Sequence, residues 1–185
     1  MALSSLCAVS PADVLSFWRE AGPQRWFRKV DAFDAEFRSR FLHCHEAAVR
    51  GDLDAWTADP EGALALLILL DQFPRNAFRG SARMFDSDAK ARAVARAAVA
   101  AGFDAMVDAD VRNFFYLPFM HSEDLADQDR AVELTRVLGD DPLRYAIVHR
   151  DIIARFGRFP HRNAVLGRAT TPEEQRFLDD GGFAG

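Results

Sequence analysis

The start of a helix is marked in the same way at four places in this sequence. A short polar residue followed by proline occurs at Ser10-Pro11, Asp59-Pro60, Asp141-Pro142 and Thr171-Pro172. A polar side chain that accepts the first free N–H groups, with proline at the first helical position, is the typical beginning of an α-helix. At Thr171 the pattern also predicts a capping box, in which Glu174 reaches back to the cap residue. No segment alternates apolar and polar residues as a half-buried strand does. The sequence therefore predicts an all-α fold without a β-sheet.

The spacing of apolar residues predicts about eight helices in antiparallel pairs, forming one domain over residues 1–185. Phe33, Phe37 and Phe41 fall every four residues, so they share one helix face. The apolar run 63–70 is far shorter than the roughly 20 residues that cross a bilayer. It predicts a buried helix, which Pro74 should terminate because proline cannot continue a helix.

The later helices are predicted from their caps. A fourth helix should begin at Ser87. A fifth should run from Asp108 to a stop at Pro118, and a sixth should begin at Ser122, with acids in its first turn where they suit the helix dipole. The apolar residues expected to face inward in the sixth and seventh helices are Leu125, Val132, Leu138, Ile147, Ile153 and Phe156.

Composition excludes several classes of function. The net charge is −5 and no run of five basic residues occurs, so no general attraction to nucleic acid is expected. No basic amphipathic helix or anchor suggests membrane binding. Cys7 and Cys44 match no disulfide framework, and the first residues do not form a signal peptide. These observations predict reduced cysteines, with Cys44 packed in its helix, and a cytoplasmic location.

Two polar loops repeat nearly the same residues. They read DQFPRNAFRG at 71–80 and GRFPHRNAVLGR at 157–168. Each is expected to leave the C-terminal end of a helix, with its Phe in the core and its Pro preventing continuation. In a purely structural role, Arg75 with Asn76, and Arg162 with Asn163, would donate to the carbonyls freed at each helix end. The structural role is the favoured interpretation, because such pairs serve more often as tethers than as ligand sites.

The alternative is a binding site for an anion. Arg79, Arg158 and Arg168 exceed what two helix ends require, and His161 titrates near neutral pH. The polar segment 116–129 adds His121 and Glu123. If the loops meet, they would form one anion pocket, whose predicted residues are Asp71, Arg75, Asn76, Arg79, His121, Glu123, His149, Arg158, His161, Arg162, Asn163 and Arg168.

No metal or cofactor is predicted. The histidines show no HExxH, HxxxH or ExxH spacing, and His43 and His45 point to different helix faces. The sequence also lacks a glycine-rich phosphate loop and a nucleophile elbow. Ser81, Ser87 and Ser122 are therefore interpreted as turn or cap residues.

Longer signatures are similar to those of a known family. They read LLDQFPRNAFRG, YLPFMHSEDLADQD and FGRFPHRNAVLGRATTPEEQRFL, with VLSFWREAG and RWFRKVDAFDAEF near the beginning of the chain. The chain resembles the bacterial domain-of-unknown-function family 924 over essentially its whole length, with Thr170 where serine is expected. The resemblance implies a tetratricopeptide-like superhelix, although no 34-residue repeat is visible. It implies no activity and transfers no catalytic residue.

Two functions are compatible with these observations. The preferred one is a helical module that binds a protein or peptide, with the loops bracing the scaffold. The alternative is a small-molecule site, such as that of a hydrolase or transferase, where arginines hold an anionic metabolite and His121, His149 or His161 acts as acid or base. The oligomeric state stays open.

Overall fold

The computed structural model describes residues 9–183, and these form helices joined by short turns. The α-helices are α1 Pro11–Ala21, α2 Pro23–Trp26, α3 Asp31–Arg50, α4 Pro60–Leu67, α5 Phe73–Ala77, α6 Asp88–Ala100, α7 Ala109–Arg112, α8 Leu117–Met120, α9 Leu125–Thr135, α10 Asp140–Phe156 and α11 Pro172–Asp179. No strand occurs within 9–183, which confirms the all-α class. The tetratricopeptide-like superhelix stays a prediction.

The chain divides into two compact units. The first comprises Met1–Arg79 and Arg83–Phe115, and the second comprises Gly80–Ala82 and Tyr116–Gly185. The prediction of a single domain concerns how these two units behave together, and it stays a prediction. Each unit is described by itself below.

The core of the first unit is aromatic and aliphatic. The stripe of Phe33, Phe37 and Phe41 on α3 is buried as predicted. Trp18 of α1 is fully buried and stacks on Trp26 at a ring separation of 6.0 Å. The whole run 63–70 is buried, and α4 packs against α1 and α6. Helix formation here follows from burial of these apolar faces.

The prediction that the third helix stops at Pro74 is wrong. A π-helical turn, Ile68–Gln72, follows α4 directly, and α5 continues from it with Pro74 near its first position. The Phe73 N–H donates to the Ile68 carbonyl, which is the five-residue bond of a π-helix. Because proline is tolerated in the first turn of a helix, a new helix can begin at this residue.

The predicted fifth and sixth helices are also corrected. The fifth is broken into α7, a 3-10 turn over Asn113–Phe115, and α8, which contains Pro118 in its first turn. The sixth begins two residues later than predicted, because Asp124 and not Ser122 accepts the free N–H groups of α9. Glu123 therefore precedes the helix, which leaves its carboxylate available for other partners.

The second unit packs α9 against α10 and α8. Its apolar core includes Ile152, Ile153 and Phe159. Leu125 and Ile147, which were predicted to face inward, are 41% and 42% exposed. The buried face of α10 is occupied by Ala146, His149, Ile152 and Ile153. His149 therefore occupies the inward face of α10, whereas Ile147, which was predicted to lie on that face, is at the surface.

The predicted capping box at Thr171 is confirmed, and Ser10, predicted as a cap, also forms a capping box. Ser10 and Thr171 each accept the backbone N–H three residues ahead, and Asp13 and Glu174 reach back to the cap residue. Ser87 is at the predicted cap position of α6, but its side chain does not cap the helix. None of the helices within 9–183 has the length and hydropathy of a membrane span.

The prediction of a reduced Cys44 is not met. Cys44 is buried in α3 as predicted, but it is disulfide-bonded. The only other cysteine of the sequence, Cys7, lies outside the described residues. Sequence spacing gives little information about a pairing of two cysteines, which is why the expectation failed.

Candidate functional site

Arg75 of the first loop is held by buried carboxylates. Its guanidinium makes two bonds to Asp88, at 2.9 and 3.1 Å, and donates to the Asp71 carbonyl at 2.7 Å. The Asp71 carboxylate lies 3.3 Å away and is almost completely buried. Burial alone would lower the pKa of Arg75, but the two carboxylates raise it. Arg75 is therefore a permanently charged link between α5 and the start of α6.

Asn76 and Arg79 share a different carboxylate. The Asn76 amide donates to one oxygen of Asp34 at 2.7 Å, and Arg79 Nε donates to the other at 2.8 Å. Asn76 was predicted to bond a helix-end carbonyl, and this prediction is wrong. Asp34 lies in the first turn of α3, so the bonds fasten the first loop to that helix.

The π-helical turn leaves three successive carbonyls for side-chain donors. His45 Nδ1 donates to the Leu69 carbonyl at 2.9 Å, and the Ser87 hydroxyl donates to the Leu70 carbonyl at 2.6 Å. Arg75 donates to the following carbonyl, that of Asp71. Because a carbonyl can only accept, His45 Nδ1 carries a proton. Burial, the largest cause, lowers the pKa of His45. These donors replace the backbone N–H groups that the irregular turn cannot supply.

The second loop is held in a similar way by Glu174. Arg158 makes two bonds to this carboxylate, at 2.6 and 2.8 Å, and the Asn163 amide donates to it at 3.2 Å. The Thr171 N–H donates to the same group at 2.8 Å as part of the capping box. The bonds from Arg158 contribute most to lowering the pKa of Glu174 to about 2. One carboxylate therefore begins α11 and closes the loop.

Glu123 fastens the other side of the second loop. Arg168 donates to both of its oxygens, at 2.7 and 3.0 Å, and the Phe159 N–H donates at 2.9 Å. Burial would raise the pKa of Glu123, but these donors lower it. Arg168 also bonds the Asn163 amide oxygen at 3.0 Å. Arg79, Arg158 and Arg168 exceed what two helix ends require, and all three bind carboxylates of their own unit.

Three histidines of the second unit lie close enough to influence one another, and two of them share aromatic neighbours. The ring of His149 is 5.6 Å from Phe159 and 4.5 Å from Phe183, and the ring of His161 is 5.5 and 5.4 Å from the same two. His121 adds a charge interaction to both. We call the group of His121, His149, His161 and Arg162 the histidine site.

His149 and His161 are neutral at pH 7. The pKa of each is lowered to about 4, first by burial and further by the nearby cation of Arg162. His149 Nδ1 lies 2.8 Å from the Tyr145 carbonyl, so this nitrogen carries the proton and Nε2 has the lone pair. The Nδ1 atom of His161 is buried and finds no hydrogen-bond partner within the described part of the chain.

Arg162 holds the histidine site together. Its Nη1 donates to the His121 carbonyl at 3.0 Å, at the end of α8, whereas the structural interpretation assigned Arg162 to the end of the helix that precedes its own loop. Its guanidinium lies over the Phe159 ring, 4.3 Å from the centroid, and the residue is buried. Arginine over an aromatic face is a favourable cation–π arrangement. The positive charge is therefore fixed beside the imidazoles.

The structure divides the twelve predicted site residues between the two units. The first unit contains Asp71, Arg75, Asn76 and Arg79, and the second contains His121, Glu123, His149, Arg158, His161, Arg162, Asn163 and Arg168. Convergence of all twelve on one pocket stays a prediction. Sequence reasoning missed Asp34, Asp88 and Phe183 altogether, and it gave Glu174 only a capping role. The sequence signal that could have identified Asp34, Asp88 and Glu174 is their position in or near the first turn of a helix.

The remaining histidines do not add to this site. His43 is 92% exposed in its side chain and interacts with Glu46, whereas His45 is buried on another face of α3. Over residues 9–183, no group of three or more His, Cys, Asp or Glu side chains is placed to hold a metal ion.

Fold and site together define an all-α protein, over the described residues, whose two arginine–asparagine loops are fastened by carboxylates. Residues 14–182 match the family of bacterial proteins of unknown function DUF924, and the chain belongs to that family. A solved structure of a protein of unknown function from Agrobacterium tumefaciens is similar, with 53% sequence identity and a TM-score of 0.91 over 92% of this chain and 97% of that one. The comparison with curated proteins finds no match.

Proposed function

We propose that this protein binds a small anionic molecule at the histidine site of its second unit. The observation that carries the proposal is the buried Nδ1 of His161, which lacks a partner within the described residues and lies beside a second neutral histidine. Native proteins rarely leave a buried polar nitrogen unbonded without a functional reason or a bound water or ion. A ligand that changes the surroundings of His161 would supply the hydrogen bond that its Nδ1 atom lacks among the described residues.

The charges around the histidine site favour an anion. Arg162 and Arg168 lower the pKa of His161, whereas Glu123 alone raises it, so the fixed charges have a positive balance. An anion placed here would offset that balance and allow the imidazoles to take up protons. From the sequence, several arginines were predicted to hold the anion. In this proposal Arg158 and Arg168 do not contact it, because they are bound to Glu174 and Glu123.

The proposal is tested by histidine proton resonances during titration with acetate and with inorganic phosphate. We expect the pKa values of His149 and His161 to rise when either anion binds, and the effect to disappear in His161→Gln. His43→Gln changes an exposed histidine outside the site and should behave as wild type. If neither anion moves the resonances of His149 and His161, the proposal is wrong.

A module that binds a protein or peptide is the second candidate. Tyr145 and Val148 are exposed apolar side chains three residues apart on one face of α10, which is typical of a surface that contacts a partner. The fastened loops also agree with the bracing role that this function requires. Its test is the loss of one partner from affinity capture by Tyr145→Glu, with Val137→Glu, at an exposed apolar residue outside α10, as the control. Capture profiles that Tyr145→Glu leaves unchanged would contradict it.

The cytoplasm is the compartment proposed with either function. Cell fractionation tests this location, because the disulfide of Cys44 is unusual in a compartment that keeps thiols reduced. We expect the protein in the cytosolic fraction of the bacterial cell. Recovery in the periplasmic fraction would contradict this part of the proposal.

A further inference from the structure

An apolar groove runs beside the histidine site within the second unit. Val148, Ile152 and Phe156 of α10 form one wall, and Phe177 of α11 and Phe183 form the other. Its volume is about 260 Å³, slightly below the roughly 300–1,000 Å³ of typical small-molecule sites. An engineered apolar cavity of about 150 Å³ binds benzene, so this groove has room for one ring or a short alkyl chain.

Phe183 is a wall shared by the groove and the histidine site. Its ring contacts both His149 and His161, while its other neighbours line the groove. Gly182 allows this position, because a Cβ added there would lie 2.4 Å from the Phe177 carbonyl oxygen and 2.6 Å from its ring. The Gly182 N–H also donates to that carbonyl at 2.9 Å. The segment 181–183 is therefore folded tightly against the end of α11.

We propose that the groove receives the apolar part of the ligand whose anionic group binds at the histidine site, so that the ligand class is a small amphipathic carboxylate. This inference rests on the proposed function and adds to it the chemistry of the rest of the molecule. The two subsites share the Phe183 ring as a common wall, so a ligand that occupies both must pass this side chain.

The distribution of charge fixes the orientation of this ligand. Asp151 lines the groove and is paired with Arg150 at 3.3 Å, so within the described residues the groove offers a carboxylate no free cation on this side. Arg155, the cation that lines the groove, is bonded to Glu173 at 3.0 and 3.1 Å. The anionic group of the ligand therefore belongs at the histidine site, where the charge of Arg162 is fixed. The further charged or titratable groups that act on His161 there are His121, Glu123 and Arg168.

The test compares three probes with the full chain. They are 3-phenylpropanoate, which has both parts, acetate, which has only the anionic group, and 3-phenylpropan-1-ol, which has only the apolar part and a hydroxyl. Calorimetry in buffers of different ionisation enthalpy measures affinity and proton uptake together. We expect 3-phenylpropanoate to bind at least about ten-fold more tightly than acetate, since burial of a ring contributes this much or more, and both acids to bind with proton uptake.

Variants separate the subsites. Val148→Glu places a carboxylate at the exposed rim of the groove and should remove the advantage of 3-phenylpropanoate over acetate, while Val137→Glu, the same change at an exposed valine outside the groove, should preserve it. Phe183→Ala removes the shared wall and should weaken 3-phenylpropanoate more than acetate.

The possible outcomes distinguish the two proposals. Equal affinity for acetate and 3-phenylpropanoate, with proton uptake, would overturn the groove inference and leave the anion site standing. Binding of the alcohol as tightly as the acid, without proton uptake, would overturn the proposed function and leave an apolar groove. Binding of none of the three probes would overturn both.

Discussion

A single carboxylate, Glu174, accepts donors from three residues of its unit. Arg158 and Asn163 come from the second loop and the Thr171 N–H from the helix start, and the Glu174 side chain is almost fully buried. A buried carboxylate is stable only when such donors surround it, because an unpaired buried charge is costly. The sequence indicated Glu174 only as a capping residue, since nothing in its spacing shows which loop will pack on a helix start.

Replacing Glu174 by Gln should destabilise the protein at neutral pH. We expect a loss of about 1.5–3 kcal/mol, the range for hydrogen bonds to charged groups. The pKa of Glu174 is lowered from 4.5 to about 2 in the folded state, so its stabilisation is present above about pH 4.5 and is lost as the pH falls toward 2. The difference in urea unfolding between wild type and variant should therefore shrink below pH 4.5. Glu173→Gln, at an exposed ion pair, should change little.

His149 should resist protonation while the protein is folded. Its pKa is lowered from 6.5 to about 4, whereas in the unfolded chain it returns to its ordinary value. The unfolded state therefore binds more protons between these limits, and stability contributed by the neutral His149 falls as the pH drops from 6.5 to 4. Unfolding followed between pH 7 and 4.5 should show a weaker pH dependence in His149→Gln than in wild type. An equal dependence in both, or titration of His149 near pH 6.5 by NMR, would contradict this.

The helix starts at Ser10, Asp59 and Thr171 were predictable because their signals are local. The seventh predicted helix begins at Asp140, one residue before the predicted Asp141-Pro142 start. Continuation past Pro74 was not predictable, since it depends on donors from distant elements. The hydroxyl of Ser87 lies 17 residues beyond the Leu70 carbonyl that it satisfies, and His45 lies 24 residues before Leu69. A helix passes this proline only where tertiary contacts replace its missing bonds.

Ser87→Ala tests this account of the π-helical turn. The change leaves the buried Leu70 carbonyl without its described donor, so we expect a loss of about 1–3 kcal/mol in the free energy of unfolding. Ser39→Ala, on the exposed face of α3, should be neutral or slightly stabilising because alanine has the higher helix propensity. Thermal unfolding of the two variants measures the difference. If they have the same melting temperature, the hydroxyl of Ser87 does not support the turn.

For the molecule as a whole, the sequence showed the all-α class and the repeated loops, but not what holds the loops. The partners are far apart in sequence, since Asn76 lies 42 positions after Asp34 and Arg168 lies 45 positions after Glu123. Helical periodicity and caps describe neighbours within about four residues. They cannot indicate which of many acids in the chain will face a given arginine. This is why surplus cations suggested a ligand, whereas the structure assigns them carboxylates.

Asp34→Ala tests whether loop fastening is confined to one unit. Its described bonds join α3 to Asn76 and Arg79, which all belong to the first unit. Hydrogen exchange should become several-fold faster over residues 31–50 and 73–77 and stay unchanged over 140–179. Asp31→Ala, at the exposed start of the same helix, is the matched control and should have no such effect. Faster exchange throughout the chain would show that the loss is not local.

The π-helical turn has a consequence for sequence variation. Bonds that span five residues accommodate one more amino acid than an α-helical path between the same end points. Deleting a single residue from 68–72 would let an ordinary α-helix join the same end points, so Arg75 and Asn76 would keep their orientation toward Asp88 and Asp34. The same deletion within α4 removes no extra residue and would rotate α5 by about 100° relative to the start of α4, since 3.6 residues complete a turn. The π-helical turn is therefore the place on this path where loss of one residue is best tolerated.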